Sequence, residues 1–353
     1  MNYQDHIKKI FIIHTWGIGD FIMFLPALNI LKRNFPKAKV DLLIGTPSVA
    51  QVVEGTNLVD EFFIFNTRKD SMVKKIKLAL NLKKRNYDLS IVTDGINPFK
   101  SSFFSYLVGA KIRLGQYRKI PQIFFNKQIK FDVNKHRVER NIDLIRLLGC
   151  EAKTIVFNFP ILEKEEQLAN EYFVKNFSED NFVVGFHPGC DKKNSYKRWE
   201  VRKWIQLCKM LQDRFKNISF AIFGGPDEKE VAEEIVAKIK EASITKAVPF
   251  TGFHLRVTAT LIKRCSIFIN TDSGLGHIAA SLNVPTFTIF GPTNPIWTKP
   301  YSKKAVAIQK GLSCQPCNGK LDICKGRINC LRDLTPEEVF RVIVKNYEDV
   351  REK

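Results

Sequence analysis

The residues with most chemical potential lie between Asn270 and Gly291, where Asn-Thr-Asp-Ser-Gly-Leu-Gly-His leads into a short apolar helix pattern and a further strand. Small residues from Asn270 to Gly276 let backbone amides converge on an anion. A helix opening near Gly274 adds the positive end of its dipole. This is the layout of a phosphate-binding turn, and a Gly-rich turn before a helix also serves plain chain reversal. Four other groups accompany it: Trp16-Gly17-Ile18-Gly19-Asp20, His187-Pro188-Gly189, Lys197-Arg198-Trp199 and Phe223-Gly224-Gly225-Pro226-Asp227-Glu228. Gly17 and Gly19 permit a tight turn that delivers Asp20 to the start of a helix, either as a cap or as a general base. Lys197 and Arg198 can neutralise a diphosphate or flank a helix as ordinary charges. Asp227 and Glu228 can hydrogen-bond ribose hydroxyls or open the following helix. His277 reads more naturally as a packing histidine than as a catalyst.

The elements that position these groups follow a repeated βα pattern. In the first half the strands are 10–14, 40–44, 61–65 and 89–93, and the helices 20–34, 71–85 and 101–108. Regularity is lost from Gln116 to Pro160, apart from a helix over 138–148. The second half restarts with strands at 182–187, 218–223, 267–270 and 286–290 and helices at 201–215, 228–240, 255–264 and 275–282. Thr335-Pro336-Glu337-Glu338 is a helix-start signal leading into 339–350. Alternation of this kind implies parallel sheets covered on both faces. The expected class is α/β with two Rossmann-like domains whose strand ends face a central cleft. The boundaries read 1–165, 178–335 and a terminal helix at 336–353, with a junction at 160–178 and no internal sequence repeat.

A chain of 353 residues with 56 Lys and Arg against 36 Asp and Glu carries a net charge of +20, much of the excess lying in the first half. Such a balance favours polyanionic partners: membranes, nucleic acids or phosphorylated substrates. The polar start and the short apolar run that Asp20 soon interrupts do not read as a signal peptide, and 21–31 is too short to span a bilayer. The expectation is a cytoplasmic protein apposed to a membrane.

Cys150, Cys190, Cys208 and Cys265 are dispersed, whereas Cys314, Cys317, Cys324 and Cys330 are clustered. Four soft ligands in a short loop can surround a structural metal, although only the first pair has the usual zinc-ligand spacing; reduced thiols and oxidised disulfides are the other readings.

Taken in order, Gly17-Ile18-Gly19-Asp20 with Pro26-Ala27-Leu28, His187-Pro188-Gly189, Lys197-Arg198-Trp199, Phe223-Gly224-Gly225 and Thr271-Asp272-Ser273-Gly274-Leu275-Gly276-His277 resemble glycosyltransferase family 9, the lipopolysaccharide heptosyltransferases. The likeness covers about Ile10 to Val344. It implies a GT-B fold, acceptor recognition mainly in the N-terminal domain, ADP-heptose bound mainly by the C-terminal one, and inversion at the anomeric carbon. By that resemblance Asp20 matches the general base, with Gly17 and Gly19 beside it on the acceptor side. Lys197 matches the lysine on the donor phosphate and Asp272 the acid that holds the heptose hydroxyls. Ser273, Gly274, Leu275, Gly276 and His277 match the turn that receives the diphosphate. His187, Pro188, Gly189 and Gly224 fall on the donor side, where Asp227 and Glu228 are both candidates for the ribose. No cofactor or metal is implied beyond the donor substrate, and the chain lacks an Asp-x-Asp site. The partners implied are ADP-heptose, a lipopolysaccharide inner-core acceptor bearing Kdo or a first heptose, and an anionic membrane surface.

Two other readings stand beside this one. The same fold can use a different nucleotide sugar for a surface glycan. A basic nucleic-acid-binding protein would also explain the charge, but no helix-turn-helix, ribonucleoprotein or zinc-finger pattern supports it. A nicotinamide oxidoreductase is disfavoured because Gly17-Ile18-Gly19-Asp20-Phe21-Ile22 lacks the third glycine of the dinucleotide fingerprint.

Overall fold

The runs Lys-Ile-Phe-Ile-Ile-His and Phe-Val-Val-Gly-Phe-His are apolar on consecutive rather than alternate residues, as strands buried on both faces require. Each founds a parallel sheet. The computed structural model describes residues 6–65, 70–93, 97–152, 154–189, 192–324 and 326–352. Cys190, Arg68 and Lys69 lie outside them. The chain forms two compact units, Met1–Pro160 and Ile161–Lys353.

In the first unit the order is β1 (Lys9–His14), α1 (Ile18–Ile22), α2 (Leu25–Asn34), β2 (Lys39–Ile44), α3 (Pro47–Val53), β3 (Glu61–Ile64) and α4 (Met72–Lys83). Then come β4 (Leu89–Val92), α5 (Pro98–Val108), β5 (Ile112–Tyr117), β6 (Lys127–Lys130) and α6 (Arg137–Arg146). The six strands lie in the order β3-β2-β1-β4-β5-β6, all parallel. This is the doubly wound Rossmann order, with its switch point between β1 and β4. Under α4 and α5 the core holds Phe11, Ile13, Leu82, Tyr87, Val92 and Val108. Its buried polar group is accounted for, since Asp41 accepts from Tyr87 Oη at 2.5 Å and from Arg85 Nη1 at 3.0 Å.

The second unit runs α7 (Glu163–Asn176), β7 (Phe182–His187), a 3-10 turn (Lys192–Lys197), α8 (Val201–Arg214), β8 (Ile218–Gly224), α9 (Lys229–Glu241), β9 (Ala247–Thr251) and α10 (Leu255–Lys263). It continues through β10 (Ile267–Thr271), α11 (Gly274–Ser281), β11 (Thr286–Phe290), α12 (Pro295–Thr298), β12 (Ala305–Gln309), α13 (Asn329–Arg332) and α14 (Pro336–Glu352). Its sheet order, β12-β11-β10-β7-β8-β9, repeats that of the first, with the switch point between β7 and β10. The terminal helix signal closes as a reciprocal capping box. Glu338 N donates to Thr335 Oγ1 at 3.3 Å, and Thr335 N to Glu338 Oε2 at 2.9 Å.

Several elements differ from expectation. The single helix over 20–34 is two, α1 and α2, interrupted before Pro26, which has no N–H to carry the α1 ladder onward. β5 and β6 continue the sheet into the stretch where regularity is lost in the sequence, and α3, β9 and β12 are additional. The stretch around 160–178 is mostly α7, which packs on α10, where buried Glu165 accepts from Arg256 at 2.9 Å.

Candidate active site

In the first unit the site is built at the end of β1. Its last residue, His14, is fully buried, with Nδ1 2.9 Å from Thr93 Oγ1 beyond β4 and Nε2 3.4 Å from the Gly17 carbonyl. Burial pushes the imidazole down to about pH 3; the Gly17 hydrogen bond opposes this and the Arg137 charge adds to it. With the ring neutral, the carbonyl requires Nε2 to carry the proton, leaving Nδ1 to accept from the Thr93 hydroxyl. The histidine thereby ties the switch point to the turn that carries Asp20.

Asp20 sits in the first turn of α1, after an extended Gly17 that makes no side-chain cap. A Cβ on Gly17 would meet nothing within 4 Å, so no packing demands glycine there. The partner of Asp20 is the guanidinium of Arg137, the first residue of α6, in direct contact with Oδ1. Both side chains are about one-fifth exposed or less. Helix α6 is fixed by packing against α2 and by Asn141 Nδ2 donating to the Met23 carbonyl at 3.5 Å. Arg137 thus fixes and stabilises the ionised carboxylate.

In the second unit the ends of β7 and β10 meet. Lys197 Nζ donates to Asp272 Oδ2 at 2.8 Å, the lysine ending its 3-10 turn and the aspartate following β10. His187, last residue of β7, lies 2.7 Å from Ser273 Oγ through Nδ1 and 3.0 Å from Glu228 Oε2 through Nε2. Thr271 Oγ1 donates to the Gly189 carbonyl at 2.7 Å, closing the same pair of strand ends. Ser273 is the extended N-cap residue of α11, and its hydroxyl is turned to His187 rather than used as a cap. The first backbone N–H groups of a helix have no intrahelical acceptor, and here they open beside Lys197 and Asp272.

Glu228 and Asp227 part company. Glu228 is buried, and its Oε2 also accepts from Gly225 N at 2.7 Å. Burial resists its ionisation, but His187 by charge and hydrogen bond, the Gly225 amide and the Arg198 charge outweigh this and hold the carboxyl at about 2. Oε1 is buried too, with no hydrogen-bond partner among the described residues. Asp227 is exposed. Glu228 is therefore engaged in holding His187 and the Gly225 turn, which leaves Asp227 as the open carboxylate there.

Two glycines are set by close approach. A Cβ at Gly189 would stand 2.1 Å from Glu228 Oε1, and one at Gly276 2.3 Å from Asn270 Nδ2. Gly276 thus serves the packing of α11 on β10. Gly224 is tight against Glu228 Cβ, while Pro188 and His277 are buried and Gly274 and Leu275 part-exposed. Arg137, His14 and Thr93 were not marked by any local sequence pattern.

Cys314, Cys317 and Cys324 are half-buried, and Cys330 is buried. Burial first, then Cys317 and Cys314, pushes the Cys330 thiol up to about 11. Among the described residues no three His, Cys, Asp or Glu side chains gather to hold a metal ion. The segment is nevertheless docked, against the turn after β11 and against Tyr196. Asn318 N donates to the Pro292 carbonyl at 2.7 Å, and a Cβ on Gly319 would touch Tyr196 Oη at 3.0 Å.

Two parallel doubly wound sheets in this order define an α/β protein of the GT-B class. The family model of glycosyltransferase family 9 (heptosyltransferase) matches residues 75–327, and the chain belongs to that family. A Campylobacter jejuni lipooligosaccharide heptosyltransferase 2 is 29% identical over 344 residues, covering 96% of this chain and 98% of that one. Among solved structures, a family 9 glycosyl transferase from Veillonella parvula aligns with a TM-score of 0.80 at 22% identity, over 98% of this chain and 97% of that one. The ADP-heptose lps heptosyltransferase II of E. coli aligns with a TM-score of 0.72 at 24% identity, over 97% and 98%.

Proposed function

We propose that the chain is an inverting glycosyltransferase that moves heptose from ADP-heptose to the lipopolysaccharide inner core, at a Kdo or a first heptose, on the cytoplasmic face of the membrane. The observation that carries this reading is the pairing of Lys197 with Asp272 beside the N-terminus of α11. The unit Met1–Pro160 is assigned the acceptor and Ile161–Lys353 the donor. The names of the relatives support a nucleotide-linked heptose as donor.

In the proposed reaction the ADP diphosphate lies on the α11 amides and draws the Lys197 ammonium to itself. Asp272 is released to accept from heptose hydroxyls. Asp20 takes the proton of the attacking acceptor hydroxyl as its oxygen bonds to the anomeric carbon. The bond from that carbon to the ADP oxygen breaks on the opposite face, and ADP leaves with the electron pair. Charge grows on the diphosphate as that bond breaks, so Lys197 and the preorganised amides stabilise the transition state more than the ground state. A fixed ammonium and amides supply the electrostatic role that a divalent ion takes elsewhere, so turnover is expected to persist in EDTA.

ADP release from ADP-heptose, with and without deacylated Kdo-lipid A, in EDTA, tests the reading. Acceptor-dependent release by the wild type, abolished in Asp20→Ala without loss of folding, is the expected outcome. Release that needs a different nucleotide sugar would move the chain to another donor within the fold.

A further inference from the structure

The outer side of the α4 and α5 layer carries chemistry that neither the site nor the core uses. The two helices pack side by side over one sheet face, their inner sides burying Ala79, Leu82 and Val108. Outward, Val73, Ile76 and Leu80 form a stripe at helical spacing, 75%, 44% and 51% exposed. They open a groove of about 490 Å³ whose walls also include Lys77 and Lys84. On α5 the exposed Phe99, Phe103 and Tyr106 gather around Phe124, with ring centroids 6.0, 5.1 and 5.3 Å away. The loop before Phe124 adds Ile120 and Ile123, both more than 70% exposed. Single exposed aliphatics need no explanation, but a run of this extent does.

Charge selects the occupant. Residues 71–87 contain six Lys and Arg and no Asp or Glu; residues 97–131 contain seven and again none. Exposed Lys77, Lys84, Lys100 and Lys119 have no carboxylate partner among the described residues. A second copy of the chain would set these cations against their own kind, and a polynucleotide would leave Val73, Ile76 and Leu80 uncovered. Apolar side chains interleaved with lysines match a bilayer with anionic headgroups, which takes both at one depth.

We propose that the outer surface of α4, α5 and the 118–124 loop docks on an anionic phospholipid bilayer. Val73, Ile76, Leu80, Ile120 and Ile123 enter the headgroup boundary, while Lys77, Lys84, Lys100 and Lys119 meet the lipid phosphates. This deepens the membrane-face reading above and is independent of the identity of donor and acceptor.

Flotation with phosphatidylglycerol-containing vesicles, against pure phosphatidylcholine vesicles, tests the surface. The full chain is compared with Ile76→Glu/Leu80→Glu and with Lys77→Ser/Lys84→Ser/Lys100→Ser/Lys119→Ser, a variant that leaves the core untouched. Wild type is expected to favour the anionic vesicles by at least about tenfold, and each variant to lose about that factor while keeping its thermal midpoint. Turnover on a deacylated, water-soluble acceptor should stay unchanged in both. Equal binding by wild type and variants overturns the proposal, as does absence of wild-type binding. So does a wild-type dimer in sedimentation that Ile76→Glu/Leu80→Glu dissolves, which would assign the face to a second copy. Inactivity of the wild type on the soluble acceptor, with vesicle binding intact, would sink the transfer reading and leave the docking surface standing.

Discussion

Arg137 does two things to Asp20: it fixes the carboxylate at the start of α1 and it favours the ionised form. In the proposed reaction Asp20 is the base, and a cation that favours its charged form also makes it a weaker one. Asp20→Asn keeps the shape and removes the proposed base, so on that reading kcat should fall by roughly 10²–10⁴, with the thermal midpoint held near wild type. Arg137→Met keeps the base and removes its counter-charge. The acid limb of its pH–rate profile should move to higher pH, with a smaller loss of kcat at neutral pH than in Asp20→Asn. An unmoved limb would mean that the guanidinium does not act on the proton-accepting group. Glu228 is the corresponding case for stability. Its carboxyl is held at about 2 against an ordinary 4.5, so the stabilisation is complete above about pH 4.5 and is lost as pH falls towards 2. Glu228→Gln should therefore unfold at lower temperature than wild type at pH 7, and the difference should shrink in acid melts through that window.

The two sheets place their chemistry by the same device at the level of elements. β1 and β7 each end in a buried histidine, and each histidine bonds to the turn across the switch point: His14 to Thr93, His187 to Ser273. This likeness is one of position and topology, which is why the sequence shows no repeat. Close packing of α11 on β10 is the next constraint. Gly276→Ala would push a methyl into the Asn270 amide, an overpacking expected to cost about 1–3 kcal/mol by denaturant melts, with a higher KM for the donor if the α11 N-terminus shifts. Lys203 does similar work behind the site, where it donates from α8 to the carbonyls of Leu331, Arg332 and Leu334 and clamps the α13–α14 connection. Most central strands, buried on both faces, were legible from their apolar runs, but β5, Ile-Arg-Leu-Gly-Gln-Tyr, was not, because its polar residues break the run. Of the edge strands β3 was legible and β6, β9 and β12 were not: β6 reads Lys-Gln-Ile-Lys, and β9 contains Pro249, which an edge tolerates and a central ladder does not. Arg137 escaped for another reason, because an ion pair between a helix start and a carboxylate far away in the chain leaves no local pattern.

At the scale of the whole molecule the charge is unevenly shared. Residues 1–160 hold 26 Lys and Arg against 13 Asp and Glu, so they carry most of the net +20. Compensation within that unit is spent on structural pairs such as Arg85 with Glu61 and Lys111 with Asp88, which leaves its remaining surface strongly positive. A field of this sign draws polyanions inward over distances that salt shortens, and it acts on encounter more than on chemistry. If the basic unit receives an acceptor bearing phosphates and acidic sugars, ionic strength should act on the two substrates differently. Raising monovalent salt should depress kcat/KM for the soluble acceptor several-fold while changing kcat little. On the proposed reading the donor is held by a short-range lysine contact and helix amides, so its kcat/KM should fall less. The measurement is a pair of salt titrations, one substrate varied at saturation of the other. A parallel loss for both would show that the positive unit does not steer the acceptor, and would leave its charge to the vesicle surface alone.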